Sequence, residues 1–281
     1  MIVSAFRVHA WWLGVACLAV LACGGGQEPE DPQTPPAEEQ APPAAQQPAA
    51  AEVVDEEALA VLRHMTELLR GQQSFSFTAD MSHEALQETG ERLEFGATRR
   101  YLVKRPNRVR VETTPRDAGP RLFQFDGKLL TLLDVEQKAY AQVEREGDLD
   151  ATIDFLQDAL ATPLPLAELL RSEPGKALEE GWTTAYRVGV EQLGGVTTDH
   201  LFLRNADVDA QLWIAQGDAP TPQLVTITYR NDDGAPRFRA ELTDWKLAAP
   251  APDSAFAFQA PAGAERIQFA VPPKPAATEA Q

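Results

Sequence analysis

This sequence predicts a mainly β fold of the α+β kind, with a single large curved antiparallel sheet of about eleven strands. Three observations carry that expectation. From residue 74 onward, run after run alternates apolar and polar residues with period two, the pattern of strands with one wet face. Tight-turn pairs join several of the runs: Asp126-Gly127, Gly194-Gly195 and Asp233-Gly234. Only two stretches, 55–70 and 149–171, have a helical period, so they are the available cover for the sheet's apolar face. A sheet with that many strands must curl or split to bury one side.

The first fifty residues stand apart from this domain. Arg7 and His9 precede an uncharged run from Ala10 to Ala22, rich in Trp, Leu, Val and Ala. As a helix that run spans about 20 Å, short of the roughly 30 Å hydrocarbon core of a bilayer, and it reads as an export signal over 1–22. Val20, Leu21, Ala22 and Cys23 resemble a bacterial lipobox, in which the cysteine is acylated and becomes the first mature residue. The alternative is an ordinary signal peptide with Cys23 incidental. Lipidation is favoured because Cys17 and Cys23 are the two cysteines of the chain, so the mature protein would otherwise carry one unpaired thiol in an oxidising compartment. Gly24, where an Asp would retain the protein at the inner membrane, points by the same resemblance to the outer membrane. Residues 23–54 then form a Pro-, Ala- and acid-rich tether with too little apolar surface to fold.

The domain, 55–271, opens with the clearest helix. Asp55 is its expected N-cap, Glu56 and Glu57 sit at the positive end of the dipole, and Gly71 is placed to end it in the left-handed region. Leu59, Leu62, Met65 and Leu69 form its buried stripe, with His64 outside it. Strands follow in SFSFTADMS, RLEFGATRRYLVK, RVRVE, the LFQFDGKLLTLL hairpin and AYAQV. A helical interlude carries the stripe Leu149, Ile153, Leu156 and Leu160, and strands resume at TAYRVGVEQL and continue to RFRAELTDWKL. The segment FAFQAPAGAERI adds a short strand and a turn, and 272–281 is a disordered tail.

Composition narrows the function. The 281 residues hold 25 Lys and Arg against 42 Asp and Glu, a net charge of −17, which argues against nucleic acid as a partner. His64, His83 and His200 lie far apart, and no HExxH, GxSxG, P-loop or dinucleotide fingerprint occurs. Asp199 and His200 are strand neighbours and so face opposite sides. No catalytic residue, metal or cofactor is expected.

In order along the chain, LLRGQQSFSFTADMS, RPNRVRVE, FDGKLLTLLDVEQKAYAQV, LPLAELL, TTDHLFLR, QLWIAQGD, LVTITYRNDDGAPRFRAELTDW and FAFQAPAGAERI resemble a family of predicted periplasmic proteins, domain of unknown function 2092, from about Asp55 to Phe269. The resemblance implies the half-open barrel of the lipoprotein carriers LolA and LolB and of the mycobacterial lipid-binding lipoproteins. In that fold helices cover the concave face and acyl chains occupy a cavity beneath them. The strand parity supplies the candidate ligand-binding wall: Phe75, Phe77, Met81, Leu93, Phe95, Tyr101, Val109, Val111, Phe123 and Phe125. Arg99 interrupts this apolar parity. Either a register slip turns it outward or it reaches a cavity mouth. Trp182, Trp213 and Trp245 are candidates for the rim. The expected function is a non-enzymatic, membrane-anchored binder of a lipid, acyl chain or lipoprotein facing the periplasm. The alternative is an envelope protein-interaction or stress-sensing module on the same scaffold.

Overall fold

The computed structural model describes residues 53–160 and 166–269. Helix α1 (Glu56–Arg70) leads into six strands: β1 (Ser74–Leu86), β2 (Arg92–Lys104), β3 (Arg108–Pro115), β4 (Arg121–Phe125), β5 (Leu129–Asp134) and β6 (Ala139–Glu144). Helix α2 (Leu149–Leu160), a 3-10 turn (Ala167–Leu170) and the short α3 (Gly175–Leu178) form the interlude. Then come β7 (Thr184–Leu193), β8 (Val196–Arg204), β9 (Val208–Ala215), β10 (Pro222–Tyr229), β11 (Arg237–Leu247), a second 3-10 turn (Asp253–Phe256) and β12 (Glu265–Ile267).

All twelve strands make one open sheet in the order β12-β6-β5-β4-β3-β2-β1-β11-β10-β9-β8-β7. Two meanders, β1 to β6 and β7 to β11, meet where β1 pairs antiparallel with β11. The twelfth strand is the C-terminal segment, which lies parallel to β6. This order explains the helices. The chain leaves the sheet at β6, near one edge, and re-enters at β7, the opposite edge, so the helical interlude must cross a face. Its apolar stripe selects the apolar one.

Helix α1 starts as its sequence dictates: the Asp55 side chain accepts the Glu57 N–H at 3.0 Å. It ends differently. Gly71 keeps a right-handed φ of −68°, and its N–H donates to the Glu67 carbonyl at 3.0 Å, so no left-handed cap is needed. The buried stripe is Ala58, Leu62, Met65, Thr66 and Leu69, and Leu59 only packs at its margin. The Asp126-Gly127 turn behaves as expected. Gly127 sits at φ +99°, where a Cβ would also lie 2.6 Å from the Asn107 amide, and Asp126 Oδ1 accepts the N–H groups of Lys128 and Leu129.

On the concave face, Phe75, Phe77, Ala79 and Met81 of β1 and Val103 of β2 are buried in one cluster with Leu62, Met65 and Leu69 of α1 and with Leu201, Leu203, Leu212 and Ile214 of β8 and β9. Phe77 lies between Tyr101, at 4.5 Å between ring centroids, and Trp245, at 4.4 Å. This half of the interior is packed. No helix among the described residues is long and apolar enough to cross a membrane.

Candidate functional site

The other half of the interior is not filled. Between the inner face of β2 to β6 and the helical interlude lies a cavity of about 560 Å³. Protein interiors seldom hold voids much larger than a water molecule, and ligand pockets run from roughly 300 to 1,000 Å³, so this space is of ligand size.

Cross-strand register arranges its floor in rows. The deepest row is Val103, Val109, Phe125, Leu130 and Val143, largely sealed into the core. The middle row is Tyr101, Val111, Phe123, Leu132 and Ala141, all lining the cavity. The outer row is polar: Arg99, Thr113, Arg121 and Asp134. Leu149, Thr152, Ile153 and Leu156 of α2 and Leu166, Ala167 and Leu170 of the 3-10 turn form the roof. Ile267, Gln268 and Phe269 close the β6 side, where the Phe269 ring stands 6.3 Å from that of Phe155.

Arg99 is the pointed residue. The pairings of β2 with β1 and β3 run without a shift, so no slip turns it outward, and it keeps the inner parity. Its Nε is buried and has no hydrogen-bond partner. Its charge is felt by two neighbours. Burial pushes the Tyr101 hydroxyl above its ordinary value, against the pull of Arg99. Burial, and then Arg99, hold His83 below the usual imidazole range. Arg121, on the same row, is half exposed and faces Asp134 at 3.5 Å.

Of the residues named from sequence, Arg99, Tyr101, Val109, Val111 and Phe123 line the cavity together. Phe75, Phe77, Met81 and Phe125 lie in the packed core instead. Leu93 is 45% exposed, and Phe95 stacks on His83 at 5.7 Å toward the far end of β2. The strand alternation identified the face correctly but could not say which end of it the interlude leaves uncovered. Trp245 belongs to the core stack, and Trp213 stacks on His200 at 4.0 Å on the opposite face, away from the cavity. The helical period marks Ile153 and Leu156 as cover for the sheet, and the structure puts both in the roof of the cavity. Leu132, and the Thr113 and Asp134 of the polar row, are not legible in the sequence because their neighbours are set by register across four strands.

The described residues that line this cavity include no His, Cys, Ser, Lys or Glu. Asp199 faces Arg187, while His200 meets Glu191 at 2.8 Å and Gln211 at 3.0 Å on the other face. No group of His, Cys, Asp and Glu among the described residues is arranged to hold a metal ion.

Residues 58–270 match the model of the family described as Predicted periplasmic protein (DUF2092). The chain belongs to that family. This DUF2092 domain is also similar to several solved structures at low identity. The lipoprotein LppX of Mycobacterium tuberculosis is 14% identical, with 71% of this chain and 99% of that one covered and a TM-score of 0.43. A LolA superfamily protein from Nitrosomonas europaea is 13% identical over 72% and 97%, with a TM-score of 0.37. MucB of Pseudomonas aeruginosa, in its complex with MucA, is 15% identical over 73% and 62%, with a TM-score of 0.40. No curated protein matches.

Proposed function

We propose that this protein is a non-enzymatic, membrane-tethered binder that holds an apolar ligand, a lipid or acyl chain, on the periplasmic side of a bacterial envelope. One observation carries the reading: a cavity of about 560 Å³ with an apolar floor and roof, in an interior whose other half is close-packed. Acyl chains need shape-tolerant apolar walls and few polar anchors, and the row from Tyr101 to Ala141 offers that. The family's periplasmic description agrees with an exported chain.

The anchor is the second part of the proposal. Cys23, outside the described residues, follows a lipobox-like Val20-Leu21-Ala22, and Gly24 favours outer-membrane sorting. Several acyl chains, at about 0.8 kcal/mol per buried methylene, hold a protein firmly on a bilayer. Such a protein is a local holder or acceptor rather than a free shuttle. Cys23→Ser is expected to abolish incorporation of labelled palmitate. Labelling at the wild-type level removes the anchor from the proposal.

The binding reading is tested by native mass spectrometry of the protein extracted gently from membranes. An excess mass of one lipid is expected. A domain that is empty and takes up no apolar dye instead favours the second reading, a protein-interaction module. That alternative has one structural feature of its own: along the edge strand β7, Val188 and Val190 are about half exposed.

A further inference from the structure

The polar row at the outer end of the cavity deepens this reading, on which it rests. Arg99, Thr113 and Arg121 are consecutive partners across β2, β3 and β4, and all three line the cavity. One step further in, the floor becomes wholly apolar at Val111, Phe123 and Leu132. The cavity therefore has a direction: a cationic collar at one end and hydrocarbon walls behind it.

The charges of the collar are not equally committed. Asp134, the next residue of the row, faces Arg121. Arg99 has no such carboxylate among the described residues: its hydrogen-bonding neighbour is the neutral Tyr101 hydroxyl, and its buried Nε has no partner. A guanidinium nitrogen left buried without a partner is costly, and that cost falls when an anion arrives. His83, whose ring feels the Arg99 charge, is pushed toward its neutral form by burial and by Arg99, so Arg99 and Arg121 are the cations facing the cavity.

We propose that the ligand is an anionic amphiphile, bound with its carboxylate or phosphate on Arg99, assisted by Thr113 and Arg121, and its hydrocarbon chain laid inward over Val111, Phe123 and Leu132. A charge-assisted bond to a guanidinium in a site of low dielectric gives selectivity by headgroup charge. The apolar walls supply affinity without reading chain identity.

The test titrates the purified full chain, stripped of lipid, with probes of one chain length: palmitate, a lysophosphatidylglycerol and neutral monopalmitoylglycerol, with inorganic phosphate as a fourth. Both anionic amphiphiles are expected to bind roughly 10- to 100-fold more tightly than the neutral one. Arg99→Gln is expected to erase that preference, bringing the affinity of both anionic amphiphiles down to that of the neutral one. The wild-type comparison stands even if the variant does not fold. Equal affinity for charged and neutral probes in the wild type overturns the anion site and leaves the lipid-binding reading in place. Failure of all three lipids to bind overturns both. Inorganic phosphate binding as tightly as the amphiphiles overturns the proposal too, since the apolar walls would then add nothing.

Discussion

Arg105 shows how one side chain ties the roof to the sheet. Its Nη1 donates to the Leu170 carbonyl at 2.9 Å and its Nη2 to the Leu69 carbonyl at 3.3 Å, while the guanidinium lies 5.3 Å from the centre of the Phe75 ring. The two carbonyls close the 3-10 turn and α1, where a helix leaves oxygens without partners. Burial pulls the Arg105 pKa below the ordinary guanidinium value against the charges of Asp150 and Glu173, and the caps and the ring contact add to what offsets its desolvation. Arg105→Met keeps the bulk and removes the donors. It is expected to lower unfolding free energy by about 1–3 kcal/mol in a urea titration. A midpoint unchanged from wild type would show that the caps carry nothing. Phe75 and Phe77 make the complementary point. Their spacing placed them on the buried face, but the stack with Tyr101 and Trp245 makes them core, not wall.

Among the elements, the C-terminal strap from Asp253 to Phe269 decides how the cavity is closed. It is pinned on the outer face of the sheet at two points. Asp253 accepts from Lys104 at 2.6 Å and from Arg108, and the buried Gln124 amide donates to the Phe256 carbonyl. The strap then pairs as β12 with β6 and brings Phe269 to α2. The hydrogen bond from Lys104, helped by the charge of Arg108, holds the Asp253 carboxyl below its usual value. The sign follows: a depressed carboxyl stabilises the fold above its unfolded pKa, and the contribution fades as pH falls through the folded one. The strap is thus expected to loosen as pH falls below about 4, read as a loss of amide protection, exchange relative to the intrinsic rate at each pH, over residues 253–258. Asp253→Asn is expected to give the same exchange already at neutral pH. Protection that ignores both changes would dismiss the pin. Helix α1 shows the limits of local rules at this scale. Its N-cap and its buried face followed from composition, whereas its C-terminus closes through a right-handed glycine, with the Leu69 carbonyl accepting from the Gln72 N–H at 3.2 Å and from Arg105 at 3.3 Å.

At the scale of the whole molecule, the sheet is one wall used in two ways. Under α1 it is close-packed; under α2 and the following 3-10 turn it encloses space. Leu132→Trp, on the middle row of that space, is expected to fill it. A ligand at one hundred times its dissociation constant stabilises the folded wild type by about 2.7 kcal/mol, seen as a rise in Tm. The Trp variant is expected to show no such rise. Equal shifts in both would place binding elsewhere. The sequence by itself determined the class of fold, because period-two alternation and paired turn residues leave little choice besides antiparallel strands. It also determined the apolar parity, including the anomaly at Arg99, and family membership through an ordered series of segments. Only the tertiary structure decided that the parity holds through Arg99, that a polar row crosses four strands, and that the gap lies on the β2–β6 side. The physical reason is that parity is a local property of backbone geometry. Register across strands, and the fit of a crossing helix to a curved floor, are sums over residues far apart in the chain, and no window of sequence contains them.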